Sequence, residues 1–337
     1  MELGLRLMNA NKEEGTHKMK QEPRLQYFPI SYFSVVMGLV GLTLSIQKAE
    51  AIIKVGTGIS TGLLIVSSII FLLIAAMYLA KIIKYPNAVK EEFNNPVRLS
   101  FFPTATISIL LLSIGSIELV PQLSLYLWAV GAAAHLAATI IILSQWIWQP
   151  KFEIHHFTPA WFIPIVGNIL VPIAGTAHGY FGISWFFFSI GIVFWILMFT
   201  IFLYRIVFHK SLPEKLLPTF FILIAPPSLA FISYVKLTGA LDQFGLVLYN
   251  FALFLVIFLA FQIRVFSKAK FYLSAWAYSF PIASFVVATS LMYKIQGAQT
   301  YYYLFFAMLT ILCLLILTLI FRTGKEIHSR GICVKEE

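Results

Sequence analysis

The sequence predicts an all-α polytopic membrane protein of ten spans, and three observations lead there. Hydrophobic residues make up 60% of the 337 positions and charged ones 11%, with a mean hydropathy of +0.87, whereas ordinary soluble domains carry about 25% charge. Crossing about 30 Å of hydrocarbon takes roughly 20 apolar residues, and ten such runs fit, at 27–46, 57–83, 99–117, 122–144, 159–178, 182–207, 216–237, 243–266, 273–294 and 300–322. The runs are long and lack alternation of polar and apolar residues, which favours helices over a barrel. Finally, the charges fall on one side of these spans.

Before the first run, residues 1–26 are polar and charged without an apolar core, so they read as a cytoplasmic arm and not as a secretory signal. Residues 27–322 then form one membrane domain, and 323–337 a cytoplasmic tail. Twenty Lys and Arg sit in the arm, in the second, fourth, sixth and eighth connections and in the tail, whereas the other side holds only Lys48, Lys54, Lys236 and Lys294. The positive-inside rule therefore places both termini in the cytoplasm of a plasma or inner cell membrane, and an even number of spans follows. The net charge of +10 is mainly an insertion signal. Cations on membrane-flanking loops argue against nucleic acid as a partner.

The odd runs share a feature that the even ones lack. Pro29, Pro103, Pro164, Pro226 and Pro281 recur at offsets of 74, 61, 62 and 55, while prolines of the even runs lie only at their edges. This period suggests five helical hairpins, each a proline-bent helix followed by a straight one. A bend frees backbone groups that must be met by protein or by a water-filled cavity. The odd helices are thus expected inside, around a conduit, with the even ones outside.

Chemistry-bearing residues are sparse. No Asp or Glu is expected well inside a span; Glu50, Glu118 and Asp242 fall in outer connections and Glu153 in an inner one. His135 is the one deep ionisable residue, read either as a hydrogen-bonded packing histidine or as a proton relay. The pair His155-His156 has no acidic or thiol companion that would make it a metal site, and no phosphate-binding loop, HExxH or paired-aspartate motif appears. No enzyme activity, cofactor or metal is expected. Cys313, in the tenth run, and Cys333, in the tail, would have to share a depth to pair, so no disulfide is expected.

The polar groups of the odd helices are neutral, among them Ser31, Ser34, Thr104, Thr106, Ser108, Asn168, Ser228 and Ser284. Such donors can replace part of a small anion's hydration and still release it, although serine and threonine also serve as helix-helix glue. In the ninth run Ala277, Phe280, Ser284 and Ala288 share one stripe, with Pro281 beside the single large ring. Phe280 is therefore either a plug on a bent helix or packing filler. With Phe280 as gate, the candidate pore lining is Ser34, Gly38, Thr106, Pro164, Asn168, Pro226, Ser228, Ala277 and Ser284, and the candidate basic inner mouth is Arg98, Arg264 and Lys268.

Three stretches, taken in order, carry a family likeness: Asn95-Pro96-Val97-Arg98 leading into Ser100-Phe101-Phe102; Thr158-Pro159-Ala160-Trp161-Phe162-Ile163-Pro164 through Asn168; and Trp276-Ala277-Tyr278-Ser279-Phe280-Pro281. Together they resemble the tellurite-resistance/dicarboxylate transporter family, to which plant guard-cell slow anion channels are related. The resemblance covers about 29–321. It implies ten helices as five hairpins in quasi-fivefold arrangement around a central pore, a homotrimer, and occlusion by a phenylalanine of the ninth helix, which by motif is Phe280. The leading expectation is gated passive flow of small inorganic anions. The alternatives are a secondary carrier or exporter of C4-dicarboxylates or of oxyanions such as tellurite or sulfite, and a membrane-bound sensor without flux.

Overall fold

The computed structural model describes residues 24–266, 270–329 and 331–333, and among these there is no β-strand. The ten helices are α1 Ile30–Ile53, α2 Gly58–Lys84, α3 Arg98–Ser116, α4 Pro121–Trp148, α5 Pro159–Gly175, α6 Phe181–Phe208, α7 Glu214–Thr238, α8 Gln243–Phe261, α9 Leu273–Gln296 and α10 Gln299–His328. Nine are long and apolar enough to span a membrane, and α5 is shorter. The predicted arm lies outside the described residues up to position 23, after which Arg24–Tyr27 form a 3-10 turn. The predicted tail begins later than 323, because α10 continues to His328.

Beyond its predicted end α1 runs on to Ile53, and this carries Glu50 out of the predicted loop and into a helix. Two polar side chains of the extension, Gln47 and Glu50, are satisfied. Gln47 donates to the carbonyl of Gly115 at 3.0 Å, and the buried Glu50 carboxylate accepts from the amides of Ile59 and Ser60, each at 3.1 Å, and from the Ser60 hydroxyl. Glu50 thereby caps the first turn of α2, where free amides and the helix dipole favour an anion.

All five odd helices open with a 3-10 stretch and become α-helical near the recurring proline. The leads are Ile30–Tyr32, Arg98–Phe101, Pro159–Phe162, Glu214–Ile224 and Leu273–Tyr278. Pro103 caps its α segment, while Pro164, Pro226 and Pro281 fall in its first turn, where a missing N–H costs nothing. This corrects the expectation of bends within continuous α-helices: the prolines mark a change of helix type. Pro172, inside α5, and Pro218, inside the 3-10 lead of α7, are exceptions.

The odd helices close a ring, α1 against α3, α3 against α5, α5 against α7, α7 against α9, and α9 back against α1. Each even helix packs on the odd helix before it and touches the next one, so the outer layer fills the grooves of the inner. In α1, α3, α7 and α9 between 67% and 78% of the apolar window is buried, against 22% to 33% in the even helices. Close approach of α1 to α9 needs Gly38 and Gly41. A Cβ on Gly38 would strike Ser279, and one on Gly41 would come within 2.7 Å of the Ala283 Cβ.

At the end that bears both termini, the short helix Pro86–Asn94 turns back from α2 and delivers Glu92 to a buried ion pair with Lys81 at 2.6 Å. Lys81 also donates to the Phe28 carbonyl at 2.9 Å, and Glu92 accepts from the Ile30 amide at 2.7 Å and the Tyr78 hydroxyl at 3.1 Å. One charge pair thus ties the start of α1 to α2.

Candidate ion pathway

A cavity of about 40 Å³ lies on the axis of the inner ring. Every odd helix contributes to its wall and no even helix does. From α1 come Ser34 and Met37; from α3, Phe101, Thr104 and Ile107; from α5, Ile163 and Val166; from α7, Ile222 and Ala225; from α9, Trp276, Ala277, Phe280 and Pro281. These residues flank the 3-10 to α transitions, so the repeated junction places corresponding turns around one point. The Phe280 ring is 6% exposed. It also lies beside Gly41, where an added Cβ would sit 3.7 Å from its edge.

The wall presents almost only carbon. Its two hydroxyls turn away, Ser34 donating to the carbonyl of Ser31 at 2.6 Å and Thr104 to that of Phe101 at 2.5 Å. Two further hydroxyls of the inner helices do the same, Ser228 to Ile224 at 2.8 Å and Ser284 to Phe280 at 2.9 Å, whereas Ser113 and Ser233 donate to the carbonyls of Ser124 and Ile169 on neighbouring helices. In this conformation the hydroxyls of Ser34, Thr104, Ser228 and Ser284 are thus engaged by carbonyls three or four residues back.

Of the candidate lining, Ser34 and Ala277 border the cavity together with Phe280. The others lie elsewhere. Gly38 faces α9. Thr106 is turned toward α4, its hydroxyl 2.8 Å from Nδ1 of His135. Pro164 contributes its carbonyl to the same cluster, accepting from Nε2 of His135 at 3.0 Å, from Thr139 at 2.9 Å and from the Asn168 amide at 2.9 Å. Asn168 donates again to Thr139 at 3.0 Å, so it faces α4. Pro226, Ser228 and Ser284 are buried without bordering the cavity.

His135 holds α3 and α5 onto α4. Because a carbonyl only accepts, Nε2 carries the proton in the bond to Pro164. The ring rests on Gly167, where a Cβ would overlap it. These contacts assign His135 to packing, one of its two sequence readings.

Arg98 and Arg264 are exposed near the ends of α3 and α8, away from the cavity, and Lys268 lies outside the described residues. The cap in the Asn95–Arg98 motif is Asn95, whose Oδ1 accepts from the amides of Val97 and Arg98, each at 3.0 Å. At the same membrane face, burial and the neighbouring His155 hold the His156 imidazole below its usual range. Among the described residues no three His, Cys, Asp or Glu approach closely enough to hold a metal. The apolar wall residues, Ile107, Val166 and Ile222 among them, escaped a reading that favoured polar groups. Their position beside the recurring prolines was the signal for them.

Residues 27–324 match the family described as voltage-dependent anion channel, SLAC1. The chain belongs to this family. The sequence resemblance is borne out by individual relatives. The S-type anion channel SLAH3 of Arabidopsis thaliana is 31% identical over 277 residues, 80% of this chain and 44% of the plant protein. An uncharacterized transporter of Methanocaldococcus jannaschii is 23% identical over 330 residues, 90% of this chain and 96% of that one. The tellurite resistance protein TehA homolog of Haemophilus influenzae is 26% identical over 286 residues, covering 82% and 86% of the two chains. The chain spans about half the length of the plant relatives SLAH3 and SLAH2, 44% and 53%. The relatives named here are thus a channel, a transporter and a resistance protein, and this chain is an all-α polytopic member of the family.

Proposed function

We propose that this SLAC1-family chain passes small anions through the axis of its inner ring and that Phe280 closes the path. The observation that carries this reading is the cavity walled by all five inner helices and by none of the outer ones, with the Phe280 ring in its wall. In this conformation the path is shut. A cavity of about 40 Å³ has room for only a few waters, and its carbon wall gives a hydrated ion nothing in exchange for its shell. Opening then requires the ring to move and the hydroxyls of Ser34 and Thr104 to swing from their carbonyls toward the bore. Moving a ring about 30° off its rotamer costs about 0.5–1.5 kcal/mol, within reach of a small shift of α9. The same reading puts both termini in the cytoplasm, on the excess of Lys and Arg there, and includes the homotrimer that the family resemblance implies.

Phe280→Ala tests the gate. Anion flux into liposomes, driven by membrane potential alone and normalised to folded protein, is expected to rise strongly with little change in the preferred ion. Phe285→Ala is the control. That ring is fully buried and stacked on Tyr249, with centroids 5.8 Å apart, so its loss costs roughly 3–5 kcal/mol of stability without adding flux. Unchanged flux in well-folded Phe280→Ala would remove the gate assignment, and flux that needs a proton gradient would replace the channel with a coupled carrier.

A further inference from the structure

A groove at the end of α10 has the makings of a different site. Between the chain leading into α9 and the last turns of α10 lies an open cavity of about 600 Å³ lined by Phe271, Leu317, Thr318, Phe321, Arg322, Lys325 and Glu326. Its lining changes character along the helix axis. Leu317 and Phe321, one turn apart, are exposed, Phe321 by 74%, and offer bare apolar surface on a helix long and apolar enough to cross a membrane. The next turn toward the chain end brings the exposed cations Arg322 and Lys325, three residues apart and so on one face. Carbon first and cations after is the order in which a phospholipid of the leaflet on the termini side presents its chain and its phosphate.

The groove is also built to keep its shape. The Arg322 guanidinium lies 5.9 Å from the centroid of the Phe271 ring, which holds it on the far wall by cation–π attraction. Between the cations, Thr323 accepts a hydrogen bond from the Trp276 indole at 3.0 Å, so the end of α10 is pinned to the lead of α9 and the two walls keep their spacing. Glu326 is the one acid against two cations, and the C-terminal end of α10 supplies the sign of field that retains them.

We propose that this groove binds one anionic phospholipid of the leaflet on the termini side, its phosphate between Arg322 and Lys325 and an acyl chain along Phe321 and Leu317. The charge pattern selects an anionic headgroup, and the apolar half of the groove selects a lipid over free phosphate.

The test uses the full chain, purified in mixed micelles of phosphatidylglycerol and phosphatidylcholine, with retained lipid counted by native mass spectrometry. Wild type is expected to keep one phosphatidylglycerol in preference to phosphatidylcholine. Arg322→Gln with Lys325→Gln lowers that retention about thirtyfold, the loss of two cations at the weight each carries near an anionic surface. The charge-preserving Arg322→Lys with Lys325→Arg keeps it, which separates binding from folding. Lys84→Gln with Lys90→Gln removes two exposed cations from the same membrane face and is expected to leave retention unchanged. An equal loss in that control would reduce the site to diffuse surface charge and overturn the proposal. So would unaltered retention in the first variant, or displacement of the lipid by excess inorganic phosphate.

Discussion

Four hydroxyls of the inner helices are held by their own backbones, Ser34, Thr104, Ser228 and Ser284 each donating to a carbonyl three or four residues earlier. The sequence shows that these groups are polar and where they fall on a helix. It does not show which way a hydroxyl proton points, because the choice between a backward carbonyl and an ion in the bore depends on the conformation of the whole ring. Lys81 gives the same lesson with a charge. By spacing it is one more cation at the rim, but the turn into Pro86–Asn94 brings Glu92 against it and both side chains are 3% exposed. Lys81→Met is expected to destabilise by about 3–5 kcal/mol, since it strands a buried carboxylate. Replacing Glu92 by Leu in addition should recover part of that loss. Thermal unfolding in detergent decides it: a double variant no better than the single would show that the hydrogen bonds of Glu92 to Ile30 and Tyr78, and not the ion pair, hold this corner.

Helix contacts turn on a few glycines and one imidazole. The α4–α5 contact is set by the His135 ring lying on Gly167, with Pro164 and Thr106 bonded to its two nitrogens. Gly167→Ala is expected to cost about 1–3 kcal/mol by overpacking. Adding His135→Ala should restore stability beyond the sum of the single effects, because the clash partner is gone. Melting all four proteins completes the cycle, and strictly additive losses would count against the contact. The sequence made the hairpin period legible through the prolines, since a missing N–H belongs to the residue itself. It did not reveal the 3-10 leads, and it did not show which neighbour Gly38 faces, because that follows from how closely α1 and α9 approach.

Ten spans were readable because membrane thickness sets a length that composition must meet, and most boundaries follow from it. Closure of the ring by α9 against α1 joins parts of the chain more than 200 residues apart, and only the repeat of prolines pointed toward it. The one-sided charge makes the orientation testable: cysteines introduced at Lys54 and Lys90 should react with an impermeant maleimide from outside and from inside respectively, and the reverse labelling would invert the topology. It also bears on conduction. Neutralising the exposed Arg98 and Arg264 is expected to lower anion conductance more at low salt than at high salt, since a rim potential is screened over about 8–10 Å at physiological ionic strength. An equal fall at both salt concentrations would point to lost folding instead.

The proposed path runs inside one chain, and the five walls of its cavity are unlike: Ser34 and Met37 on one, Ile163 and Val166 on another, Ile222 and Ala225 on a third. In a pore assembled from identical subunits a single codon change alters the whole circumference at once. Here it alters one fifth, so on the proposed reading diameter and polarity are adjusted in small, independent steps, and a single ring such as Phe280 would close the path without four copies to accommodate.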